Sequence, residues 1–118
     1  MSTDRIEQPS PDDETQRSGH MAALSVAEHI VSISPIVPND VRAHCADFAP
    51  DQPSLDVYFH HCVEGVEQLA KALAGQAVAG PFSESDPRLH VEALLSHSGV
   101  PIRAWTLLPA GDAAVVTR

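Results

Sequence analysis

The chain has 118 residues, with 16 acidic side chains against 7 Lys and Arg, and a formal charge of −9. That length accommodates one domain with a core large enough to fold without a metal or a disulfide. The negative charge, and the wide spacing of Arg42, Lys71, Arg88, Arg103 and Arg118, argue against direct binding of DNA or RNA, whose affinity rests on cations neutralising phosphates.

Residues 1–20 carry Asp4, Glu7, Asp12, Asp13 and Glu14 among Ser, Thr, Gln and Pro, with Ile6 and Met1 as the only large apolar side chains. Such a segment has too little apolar surface to offset the entropy of ordering its backbone. The expectation is an acidic disordered tail over 1–20 and a single α+β domain over 21–118. No run of apolar residues is long enough to cross a bilayer, and the acidic N-terminal stretch does not resemble a signal peptide, so a cytoplasmic location without membrane contact is expected. Cys45 and Cys62 then read as reduced thiols rather than a staple.

Within the domain, Ser25-Val26-Ala27-Glu28 fits a capping box, and Leu24, Ala27, Ile30 and Val31 recur at helical spacing, predicting a short helix from Ser25 to Ile33. Pro35, Pro38 and Asn39-Asp40 then mark a loop. Val41 to Phe48 and Leu55 to His61 are strand-like and form a predicted antiparallel hairpin, joined through the Pro50 to Pro53 connection. From Cys62 to Ala74 the period becomes helical, with Val63, Val66, Leu69, Ala70 and Leu73 on one stripe and Gly75 at the position of a C-terminal cap.

Gly80-Pro81 and Ser83 to Pro87 read as a second loop, followed by strands over Leu89 to Leu95 and Val100 to Leu108 around a turn at Ser98-Gly99. A two-residue turn sets His97 opposite Val100, Leu95 opposite Ile102, Ala93 opposite Ala104, Val91 opposite Thr106 and Leu89 opposite Leu108, so one face of the hairpin is apolar throughout. A short strand at Ala113 to Thr117 is a further expectation. The order αββαββ predicts a four-stranded, mostly antiparallel sheet with both helices on one face.

The Leu55 to Leu73 strand-helix segment, the hairpin from Leu89-His90-Val91-Glu92 to Trp105-Thr106-Leu107-Leu108, and one Lys against six Arg resemble small acidic proteins of unassigned function from high-GC actinobacteria and their phages and plasmids. The resemblance implies an accessory protein and transfers no active-site residue.

Chemistry-bearing side chains gather at His44, Cys45, His60, His61 and Cys62, the types zinc favours. Their spacing on two strands is unlike the paired ligands of a structural zinc site. His44, His60 and Cys62, pointing outward, are the candidate ligands, against the ordinary reading of polar groups on an exposed sheet face. Cys62 at a helix start beside His60 and His61 also has the identities of a thiol nucleophile, but no orienting group or oxyanion glycine accompanies it. Enzyme activity is therefore not the leading expectation, and no cofactor is implied. The acids look scattered rather than striped, which weakens a third reading as a phosphate-mimicking decoy. Seven histidines make a pH response below neutrality an expectation.

The outer face of the second hairpin carries the interaction residues: Leu94, Arg103, Trp105 and Leu107. Trp and Arg flanked by Leu are typical of binding surfaces, and the competing reading makes Trp105 part of the core. These features point to a non-catalytic protein-interaction domain, with a protein partner or a homodimer formed through the sheet.

Overall fold

The computed structural model describes residues 11–46 and 49–109. In chain order the elements are α1 (Pro11–Ile33), β1 (Asp40–His44), β2 (Ser54–Tyr58), α2 (Val63–Ala72), β3 (Val78–Ser83), β4 (Asp86–His97) and β5 (Val100–Leu108). The five strands make one mixed sheet in the order β1-β2-β5-β4-β3. All neighbours are antiparallel except β2 and β5, which run parallel with Leu55 beside Ile102 and Val57 beside Ala104. The fold is α+β as expected, but among the described residues the sheet has five strands rather than four and contains a parallel pair.

Two corrections concern boundaries. The first helix begins at Pro11 rather than Ser25, so residues 11–20, expected in a disordered tail, form its first half. Pro at the first turn followed by Asp12, Asp13 and Glu14 is itself a helix-start pattern, because acids complement the positive end of the helix dipole. Gly19 in that half is buried, and a Cβ there would meet Cys45 Sγ and the Pro50 carbonyl. The second correction is β3, which pairs Val78 with Glu92 and Gly80 with His90 along the free edge of β4, where a loop was expected. The expected tail residues 1–10, Phe48 at the end of the first strand, and the strand at 113–117 lie outside the described residues.

The β4–β5 hairpin has the predicted register at every position from His97–Val100 to Leu89–Leu108. Its turn residues Ser98 and Gly99 both have positive φ, 51° and 79°, the left-handed pair whose twist matches that of the flanking strands. The long antiparallel contact is thereby fixed by two residues.

Both helices lie on one face of the sheet. Val26 and Ile30 of α1, and Val66, Leu69 and Ala70 of α2, share a single buried cluster with Leu55, Val57, Phe59, Val91, Ala93, Ile102 and Ala104. Thr106 occupies the same inner row with no exposed surface, and its hydroxyl accepts a hydrogen bond from the Cys62 N–H at 3.1 Å. A buried hydroxyl therefore carries the backbone donor at the start of α2, a position where helices leave N–H groups unpaired. At the other end of α2 the left-handed residue is Ala74, φ 58°, rather than the Gly75 expected as a cap. Gly75 is needed for closeness instead, because a Cβ there would run into the Leu95 side chain.

Candidate interaction face

Strand alternation decides which side chains reach the side of the sheet away from the helices. With Leu55, Val57, Ile102 and Ala104 turned inward, Asp56, Tyr58, Arg103, Trp105 and Leu107 turn outward. Beside them stand Asp40, Arg42 and His44 of β1, and His90, Glu92 and Leu94 of β4. The parallel pairing of β2 with β5 brings Asp56 beside Arg103 and Tyr58 beside Trp105, two adjacencies that no hairpin rule reveals.

Arg103 is the hub of this face. Its guanidinium lies over the Trp105 ring at 4.5 Å from the centroid, forms an ion pair with Glu92, and approaches Asp56 at 3.8 Å. Its Nη2 donates to His90 Nε2 at 3.2 Å, which requires the neutral imidazole to keep that nitrogen free of a proton. The Trp105 indole N–H donates to Asp56 Oδ1 at 2.6 Å. The Tyr58 ring sits 4.7 Å from the Trp105 ring, and Tyr58 Oη pairs with His60 Nδ1 at 2.9 Å. Phe82 of β3 meets the His90 ring edge-on at 5.5 Å. A continuous line of rings, Tyr58, Trp105, His90 and Phe82, thus crosses the sheet with Arg103 against its centre.

Two shallow grooves flank the Asp56–Arg103 pair. One, of about 500 Å³, is lined by Asn39, Asp40, Arg42, Asp56, Tyr58, His60 and Trp105. The other, of about 350 Å³, has His44, Leu94, Pro101 and Arg103 among its walls. Leu94 is 73% exposed and belongs to the second groove, whereas Trp105 opens onto the first. Each acid of this face has an arginine nearby: Arg42 donates to Asp40 at 2.7 Å, and Arg103 serves Asp56 and Glu92. At the β3–β4 turn, side-chain and then backbone hydrogen bonds from Arg88 hold the Asp86 carboxyl below its ordinary value.

Of the sequence-derived residues, Arg103, Trp105 and Leu107 are half-buried and Leu94 is exposed, all on one face as the register required. The metal candidates are dispersed. His44 pairs with Ser54 and Asp40 with Tyr58, so His44 lies at one end of the β1–β2 hairpin and His60 two residues beyond the other, past a strand that itself spans about 13 Å. His44 and His60 therefore do not face each other across the strands. His60 stacks instead on His61, ring centroids 4.0 Å apart. Cys62 is half-buried at the N-cap of α2, and Cys45 is buried beneath α1, with Sγ 3.2 Å from the Pro50 carbonyl. Among the described residues, no three His, Cys, Asp or Glu side chains come together in a way that could hold a metal ion. His29 of α1 and His97 at the end of β4 stack on the helix side, 4.2 Å apart.

Asp56 and Tyr58 are the members of the site that sequence reasoning missed. Both are visible as the polar phase of an alternating strand, but their role depends on β2 lying beside β5 rather than beside the β3–β4 pair. No helix among the described residues is long and apolar enough to cross a membrane. No protein-family model matches the chain, and the search of curated proteins found no match.

Proposed function

We propose that this chain is a non-catalytic interaction domain, an accessory protein that binds a protein partner, or a second copy of itself, through the open face of its sheet. The observation that carries this reading is the Tyr58–Trp105–Arg103 array, held by Asp56, Glu92 and His90 on a face that neither helix covers. Trp, Tyr and Arg dominate the energetics of protein interfaces because each buries much area with few rotors and a directional polar tip. Here those rotors are already pinned by neighbours, which lowers the entropy lost when a partner docks.

The shallowness of both grooves favours a protein surface over a small molecule, which needs a cleft that encloses it. Exposed Leu94 and Pro101 extend the contact area beyond the aromatic line, and the arginine-acid pairs supply a polar rim.

The test compares the full chain with its Trp105→Glu and Arg88→Glu variants as bait, followed by sedimentation of each. A partner or dimer retained by the parent and by Arg88→Glu, but lost by Trp105→Glu with an unchanged circular-dichroism spectrum, supports the sheet face. Equal retention by all three removes it.

A further inference from the structure

We propose that α1 carries a second, separate interface: it pairs antiparallel with α1 of another copy of this chain, centred between Met21 and Leu24. The buried stripe of α1, Ala23, Val26 and Ile30, accounts for only one side of the helix. On the opposite side Met21, Leu24 and Val31 are 64%, 60% and 43% exposed. Together with Glu14, Arg17 and Glu28 they follow a strict alternation of three and four residues, the a and d positions of a helix that pairs with another helix.

Charge complementarity selects both the occupant and the direction. A parallel pair sets each position against itself, so Arg17 faces Arg17 and Glu28 faces Glu28. In an antiparallel pair the a positions face d positions, and the register centred between Met21 and Leu24 sets Met21 against Leu24 twice and Arg17 against Glu28 twice, with Glu14 beside Val31 at the two ends of the contact. Shifting that register by one heptad in either direction sets Met21 against Arg17 or Leu24 against Glu28, which moves the charge-on-apolar mismatch from the ends of the contact to its centre. The stripe is thus self-complementary at its four central positions, Arg17, Met21, Leu24 and Glu28, as a two-fold axis between two copies demands.

Arg17 is exposed and bonded at 2.8 Å to Glu14 one turn earlier, a surface pair that leaves guanidinium donors for a second carboxylate. Glu28 is exposed. Ser18, Ser25 and Ser32 run along one flank of the stripe, small enough to let two helices approach closely. Two apolar layers between two ion-pair layers make a short contact, so the dimer is weak and concentration-dependent.

Sedimentation of the full chain over a range of concentrations tests this, with Leu24→Glu, Arg17→Glu, Glu28→Arg and the double exchange Arg17→Glu/Glu28→Arg. The expected result is a parent dimer abolished by Leu24→Glu, weakened about tenfold by either single reversal, and largely restored by the double exchange. A parent that stays monomeric overturns the proposal, as does a dimer that survives Leu24→Glu but is lost in Trp105→Glu, which belongs to the sheet face. Failure of the double exchange to restore what the single reversals remove overturns the antiparallel register. Should Leu24→Glu unfold, the reversals at exposed Arg17 and Glu28 decide the question without touching the core.

Discussion

Along β5, Ile102, Ala104, Thr106 and Leu108 are buried beneath the helices, while Arg103, Trp105 and Leu107 stay half-exposed on the other side of the same strand. The inner row meets its neighbours through shape: small Ala93 and Ala104 sit opposite one another, and Phe59 lies against the backbone of α2 at Gly65. The outer row meets its neighbours through charge and ring contacts that remain open to water. Stability therefore concentrates on the face whose contacts exclude solvent, and the polar contacts of the other face contribute little to folding.

The sharpest way to break the inner face is Phe59→Ala. Phe59 has no exposed surface and its ring fills the space that a Cβ on Gly65 would occupy. Removing it should cost about 3–5 kcal/mol, read from urea unfolding monitored by circular dichroism. A loss near that of a surface substitution would mean that α2 is not seated on the sheet through this ring. The same contact can be overfilled from the other side. Gly65→Ala forces the added methyl into the Phe59 ring, with an expected cost of about 1–3 kcal/mol in the same measurement despite the better helix propensity of Ala. A stabilising Gly65→Ala would show that the ring can move aside.

The two faces were not equally legible in the sequence. The inner face follows from local rules: period-two alternation in Leu55-Asp56-Val57-Tyr58-Phe59, and a two-residue turn that sets every partner in β4–β5. The outer cluster needed the strand order, and the β2–β5 contact spans a helix and two strands. Long-range parallel pairing leaves no mark on the residues between. β3 was missed because Val78-Ala79-Gly80-Pro81 is almost wholly exposed and shows no alternation, and Pro81 reads as a breaker although an edge strand tolerates it. The first half of α1 was missed for the opposite reason: its acids and serines looked like a solvated tail, while its buried contact is the bare backbone of Gly19 against Cys45 and Pro50.

The smallest expected effect sharpens the contrast most. Arg103 touches Trp105, Glu92, Asp56 and His90, yet its side chain is 36% exposed, so solvent screens each of those contacts. Arg103→Ala should lower stability by only about 1 kcal/mol or less, because Asp56 keeps the Trp105 N–H and both freed carboxylates can hydrate. The deficit has two origins that salt separates. In about 1 M NaCl, where the Debye length is about 3 Å, the ion-pair share should fade while the packing of guanidinium on indole persists, so parent and variant should converge without becoming equal. Arg103→Lys keeps the charge but loses the planar fork, and should retain the salt-sensitive part while losing the stacking that Trp fluorescence reports. A loss of about 3 kcal/mol or more for Arg103→Ala, unchanged by salt, would show instead that the outer array helps hold the fold together and is not a surface held in readiness for a partner.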